Sequence, residues 1–425
     1  MEDSPVAVAI PWFALAAATA VLAGAAWLII RACKADESCC RLPPGSRGLP
    51  LLGESLEFFA RSPSLELLPF LKQRLERYGP IFRTNIIAQD MIVSLDPELN
   101  NLVFQQEERL FQCWYPNSFM RVFGADSIIT TFGSSHRHVR NLVLRLFGPE
   151  NLRRAMLQEM QKTAQASLLS WLDRPSIEVK EEVSSMIIFS IIAKKLISYD
   201  SSASNGKLWK QFDAFLQGLL ADRICIYTID HDNQFDHCIY MQGRKNVMRM
   251  LRELLDERKK KTAHQLESID FFDALIDELK QEKPAVSENV ALDLLFLLLF
   301  ASFETTSSGI TAILRFLTDN PMALEELTEE HDRILKRKAD PNSQITWEEY
   351  KSMKFTSHAL RLANIAPVVF RKARQDVHIK GYTIPKGSKI MLSPSNIHLN
   401  PTVYKDPNEF NPWRWKVCGE IQSNL

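Results

Sequence analysis

The stretch 292-LDLLFLLLFASFETT-306 is the most apolar in the chain and ends on an acid followed by two hydroxyls. Leu294 to Phe300 is hydrophobic at every position, so a helix through it carries apolar side chains on all sides and is predicted to be enclosed by protein. Glu304 follows one turn later. A carboxylate in such surroundings costs free energy unless a partner or a reaction uses it. These residues support two readings. In one, Glu304, Thr305 and Thr306 are chemical machinery in a dry site. In the other the helix is ordinary core, its threonine hydroxyls bonding back to the preceding turn and Glu304 taking an ion-pair partner. Ser287 is a predicted N-cap with Glu288 in the first turn, and Asn320-Pro321 a predicted stop, so the helix covers Ser287 to Thr318.

Working outward, helical periodicity recurs at Pro97 to Gln105, Arg137 to Leu146, Asn151 to Leu172, Glu181 to Ile197, Leu208 to Leu220, Asn246 to Lys261 and Phe271 to Lys280. Ile81 to Leu95 alternates and breaks at Ala88, Gln89 and Asp90, which predicts a hairpin. A second strand-rich island spans Val377 to Leu392, with turns at Gly381 and at Pro385, Lys386 and Gly387. The fold class is therefore mainly α with a small β subdomain.

A chain of 425 residues, 46% hydrophobic with only 15 Gly, can bury a large core. Fifty-one basic residues balance 51 acidic ones, so bulk charge offers no hold on nucleic acid. The seven cysteines, Cys33, Cys39, Cys40, Cys113, Cys225, Cys238 and Cys418, are an odd number with no CxxC pair, as in a reduced compartment. Asp230, His231, Asp232, Asp236, His237 and Cys238 cluster within Asp222 to Tyr240. Their spacing matches no standard metal template, so an altered loop competes with a metal site there.

Val6 to Ile30 carries no charge. As a helix, Pro11 to Ile30 reaches about 30 Å, enough to cross a bilayer. Glu2 and Asp3 precede it where a cleaved secretory signal would be basic, and Arg31, Lys34, Arg41 and Arg47 come after it. Residues 1–31 are thus predicted to be a single-pass anchor, with everything after it cytosolic. Cys39 and Cys40 are candidates for acylation beside the membrane. Residues 32–50, with Pro43, Pro44, Gly45, Gly48 and Pro50, read as a stiff hinge to a domain over 51–425.

Taken together, from the anchor to Lys416, these segments resemble a microsomal plant cytochrome P-450, a heme-thiolate monooxygenase. Ala301, Ser302, Phe303, Glu304, Thr305, Thr306 is similar to the family's oxygen-side motif, with Ser302 in place of a Gly. The resemblance implies that Ala301 lets the helix deform over the heme, and that Thr305 and Glu304 relay protons at iron. Gly133 to Arg140 resembles the helix that binds a heme propionate. His136 and Arg140, four apart, are predicted to hold it together. Pro367 to Arg371 resembles the pocket floor and implies a further propionate contact through Arg371. Gly381 to Gly387 resembles the family's next hairpin. Asn396 to Trp415, with Pro401, Tyr404, Asp406, Pro407, Phe410, Pro412 and Arg414, is similar to the stretch that leads into the family's heme-ligand loop.

Three departures accompany the likeness. The family's Glu-x-x-Arg appears as His358, Ala359, Leu360, Arg361, which predicts two buried cations, Arg361 and Arg414, without their shared carboxylate, at a cost of roughly 3 to 5 kcal/mol if nothing compensates. The thiolate loop is not met after Lys416, where the sequence gives Val417, Cys418, Gly419, Glu420; Cys418 has Arg414 four before it in place of Gly, so it is a poor substitute ligand. The third is Asp222 to Tyr240. The resemblance implies a C-terminally truncated P-450 fold that binds heme and hydroxylates a lipophilic sterol-like, brassinosteroid or terpenoid substrate. Electrons would come from an NADPH-cytochrome reductase at the endoplasmic reticulum. The departures imply the competing expectations, an altered transcript or a non-catalytic anchored remnant. Peroxide rearrangement without external electrons is a further alternative, against which Thr305 argues.

Overall fold

The helix expected from the apolar stretch forms over Glu288–Thr318. Ser287 caps it, its hydroxyl accepting the Val290 N–H at 3.4 Å and so satisfying one of the orphan donors of the first turn. One face repeats at helical spacing, Leu292, Leu295, Phe296, Leu299, Phe303 and Ser307, and every member is fully buried. This central helix is long and apolar enough to cross a bilayer, yet it packs against protein, in one cluster with Phe189, Phe212, Phe215 and Leu251.

The computed structural model describes residues 41–49, 53–60, 67–86, 88–124, 129, 133–147, 156–200, 206–221, 239–260, 270–282, 284, 286–340, 342–355, 362–363 and 365–414. The expected anchor at 1–31, residues 32–40 and Pro50 of the hinge, Asp222 to Cys238, His358 to Arg361 and Cys418 lie outside them.

Helices pack around the central one. Lys207–Ala221 and Ile239–Lys260 pack closely because of Gly243, where a Cβ would sit 2.7 Å from the Phe215 main-chain nitrogen. The second of these begins seven residues before its expected start at Asn246. Its first turns are bound to the central helix by charge, Arg244 Nη2 lying 2.5 Å from Asp293 Oδ1. Burial pulls the Arg244 guanidinium below its ordinary range, with Asp293 opposing that shift. The expected Glu181 to Ile197 helix runs as Val179–Glu182 and Ser190–Ile197, joined by a wider π-helical segment, Val183–Phe189.

The β subdomain is a five-stranded sheet plus a separate two-stranded hairpin. β1 (Ile81–Ile86) and β2 (Gln89–Ser94) pair antiparallel, with Ala88 at φ 52 in the turn. Gln89 and Asp90, expected as turn residues, already belong to the second strand. β3 (Phe111–Cys113) and β4 (Val369–Ala373) were not expected. β5 (Val377–Ile379), β6 (Tyr382–Ile384) and β7 (Lys389–Leu392) fill the expected second island, and β7 joins β2 in parallel. The sheet order is thus β1-β2-β7-β4-β3, with β3 as the edge strand; Arg371, on β4, stands opposite Cys113 on one side and Ile390 on the other, one strand in from that edge.

Candidate active site

On the central helix the enclosure expected of Leu294 to Phe300 ends at Ala301. Ala291 to Phe296 are buried, whereas Ala301, Thr305 and Thr306 are exposed and Glu304 is half-buried. The reason is geometric. Ala301 and Thr305 stand four apart on the side away from Phe303, and the helices that cover Phe303 do not reach round to them.

Glu304 Oε1 accepts from Lys180 Nζ at 3.2 Å and from Ser308 Oγ at 3.5 Å. Thr305 Oγ1 donates to the Ala301 carbonyl at 2.7 Å, and Ser307 and Thr311 bond back in the same way to Phe303 and Ser307. Both features of the core reading are thus present, an ion-pair partner and back-bonded hydroxyls. What core packing does not provide is the exposed strip of Ala301 and Thr305 beside that carboxylate. A carboxylate within reach of an ammonium and a hydroxyl, next to an open helix face, can take up and pass on a proton.

A second group forms at the sheet edge. Arg371 Nε lies 3.0 Å from Glu107 Oε1 as an ion pair, and Nη2 donates to Glu107 Oε2 at 3.3 Å. Nη1 donates to the Phe370 carbonyl at 2.8 Å, and the guanidinium lies 5.7 Å from the Phe104 ring centroid. Glu107 and Glu108 sit in a tight turn, closed by the Glu108 N–H on the Phe111 carbonyl at 2.8 Å with Glu108 at φ 67. Arg374 holds the same turn by donating to the Glu108 carbonyl. His136, on the helix Gly133–Phe147, brings Nδ1 to 4.0 Å from Glu108 Oε1. Arg140, expected to share a ligand with His136, is exposed. The structure therefore gathers His136 and Arg371 at one two-acid turn and leaves Arg140 a helical turn away.

The two groups are linked by rings that the sequence reading missed. Phe370 lies 6.0 Å from Tyr115, Tyr115 stacks on Phe119 at 4.6 Å, Phe119 meets Phe123 at 4.8 Å, and Phe123 meets Phe300 at 5.0 Å. The chain of rings runs from the residue beside Arg371 to the residue beside Ala301. Its signal was available: Tyr115, Phe119 and Phe123 are spaced by four in a segment whose helix is Asn117–Phe123.

The expectation of an uncompensated buried Arg414 is corrected. Its Nη1 donates to Lys405 O at 2.8 Å, Nη2 to Asp406 O at 3.2 Å and Nε to Asn411 O at 3.2 Å, and the residue is only half-buried. Three carbonyls replace a carboxylate because Asp406, at φ 48, turns the preceding chain back onto the side chain. Among the described residues no cluster of His, Cys, Asp and Glu is suited to a metal ion.

These donors fit a flat cofactor bearing carboxylates. A guanidinium held from two directions by protein suits a carboxylate on its remaining edge, and the small Ala301 beside the Thr305 hydroxyl suits a planar ring system.

Residues 43–421 match the family model described as Cytochrome P450. The chain is 49% identical over 386 residues to Cytochrome P450 87A3 of Oryza sativa subsp. japonica, covering 90% of this chain and 73% of that one. It is 37% identical to Cucurbitadienol 11-hydroxylase of Siraitia grosvenorii, covering 89% of this chain and 79% of that one. Among solved structures it is similar to a retinoic-acid-bound cyanobacterial CYP120A1, with a TM-score of 0.74 and 24% identity over 89% of this chain and 82% of that one, a likeness of fold.

Proposed function

The chain belongs to the cytochrome P450 family, among the plant members of the sterol and triterpenoid clan, and from that premise we propose that it hydroxylates a lipophilic polycyclic substrate of sterol or triterpenoid type. The family's cofactor is heme, which supplies the iron at which dioxygen is reduced and one oxygen atom enters a C–H bond. Arg371 and His136 would hold its carboxylates, and the small, exposed Ala301 would leave room for its ring system. The Thr305 hydroxyl holds a proton at the exposed strip. Glu304 resupplies it, with Lys180 and Ser308 keeping the carboxylate in place. Tyr115, Phe119, Phe123, Phe300 and Phe370 orient a rigid hydrocarbon and exclude water.

One observation carries the proposal: an unbroken run of rings joins a carboxylate-binding arginine to an acid–hydroxyl pair. The substrate class draws support from the cucurbitadienol relative, an 11-hydroxylase by name. Electrons arrive from an NADPH-cytochrome reductase. Residues 1–31 anchor the chain in the endoplasmic reticulum membrane with the domain in the cytosol.

The test is the full chain in microsomes with a plant reductase, NADPH and a panel of sterols and triterpene alcohols. The expected result is a long-wavelength carbon monoxide band on reduction and a hydroxylated product, with product yield falling on the order of tenfold to a hundredfold in Thr305→Ala. Absence of both band and product overturns the proposal. That result would favour the second reading, an anchored protein without turnover, for which the His358 to Arg361 segment speaks because it carries no acid three residues before the arginine.

A further inference from the structure

We propose that Glu107 is a positioning residue for the cofactor's carboxylate, acting through Arg371. This role rests on the proposed seat of a heme carboxylate at Arg371 and adds to it a residue from another part of the chain.

A guanidinium carries five N–H groups along three edges. In Arg371 the Nε–Nη2 edge faces the Glu107 carboxylate, and one N–H of Nη1 is spent on the Phe370 carbonyl. One N–H of Nη1 and one of Nη2 remain, and among the described residues neither makes a further hydrogen bond. The side chain is only 13% exposed and is held at Glu107 and at Phe370 O, so the direction of these two donors is fixed. This arrangement suits a carboxylate, two donors whose rotamer has already been selected.

Glu107 is itself held for the purpose. The turn that carries it is pinned by the Glu108 N–H on Phe111 O and by Arg374 on Glu108 O. Its Oε1 contact with Nε is close, but the N–H is not aimed at the oxygen, whereas the Nη2 bond to Oε2 is aligned. Glu107 thus acts on a nitrogen that also carries one of the open donors. Its negative charge has the opposite tendency, because it repels a second carboxylate. The two roles predict opposite signs on removal: losing an orienting group weakens carboxylate binding, and losing a competing charge strengthens it.

The experiment measures binding of protoporphyrin IX and of its dimethyl ester to the full chain by quenching of tryptophan fluorescence, at one pH and salt concentration. The ratio of the two affinities isolates the carboxylate from the ring system, and loss of folding lowers both affinities together. In the unaltered chain the free acid is expected to bind about tenfold more tightly, the worth of a charge-assisted hydrogen bond. Arg371→Ala should abolish that preference. Glu107→Gln should cut it by about threefold, and Glu107→Asp, which keeps the charge on a shorter arm, should fall between. If Arg371→Ala abolishes the preference while Glu107→Gln leaves it unchanged or raises it, the positioning role is overturned and the carboxylate site stands. If neither porphyrin binds, or the unaltered chain shows no preference, or Arg371→Ala leaves it intact, the carboxylate site at Arg371 falls and the role of Glu107 with it.

Discussion

The acid–hydroxyl strip of the central helix and the basic group at the sheet edge are built in opposite ways. Ala301, Glu304, Thr305 and Ser308 lie within eight positions of one another, and helical geometry alone puts Thr305 on Ala301 and Ser308 on Glu304. Arg371 meets Glu107 across 264 positions, and His136 reaches Glu108 from a third segment. The first region needs only a helix to exist. The second needs the sheet order β7-β4-β3, because only that order sets the strand carrying Arg371 beside the turn carrying Glu107. A site half local and half non-local has two independent ways to fail.

The largest expected effect separates the two sides of the central helix. Phe303 is fully buried among Phe189, Trp209 and Phe212, so Phe303→Ala should cost about 3 to 5 kcal/mol in denaturant unfolding. A loss below about 1 kcal/mol would mean that the helix is not seated as described. Next comes the sheet edge. Arg371→Ala removes an aligned bond to Glu107, a bond to Phe370 O and packing over Phe104, for an expected cost of about 1 to 2 kcal/mol. Glu107 is partly exposed and rehydrates, which keeps that figure below the cost of stranding a buried charge. Should Arg371→Ala match Phe303→Ala, the edge would be a structural keystone and not a receptor. The smallest effect belongs to Lys180→Met. Lys180 and Glu304 are 45% and 30% exposed, so their pairing should be worth no more than about 0.5 kcal/mol. Thermal unfolding should barely change while the proton supply to Thr305 does, read as the fraction of NADPH consumed that yields hydroxylated product.

Much of the scaffold was legible because it depends on neighbours in sequence. The cap at Ser287, the hairpin turn at Ala88 and the helices at Pro97–Gln105 and Phe271–Leu279 are explained by caps, turn residues and periodicity. The early start of Ile239–Lys260 was hidden because Gly243 counts against a helix in isolation, while in the fold it permits contact with Phe215. The strand Phe111–Cys113 is too short to alternate visibly. At Arg414 the sequence misled, since a missing acid suggested a stranded cation and main-chain carbonyls supply the acceptors instead.

The sequence by itself determined the central helix, its Glu304–Thr305 pair, and a mainly helical chain with a small sheet, because each of these is written in residues a few positions apart. The tertiary structure decided which face of that helix stays open, that Glu304 pairs with Lys180, and that Glu107 grips Arg371. Those outcomes depend on how distant segments dock, and no periodicity records the docking of segments hundreds of residues apart.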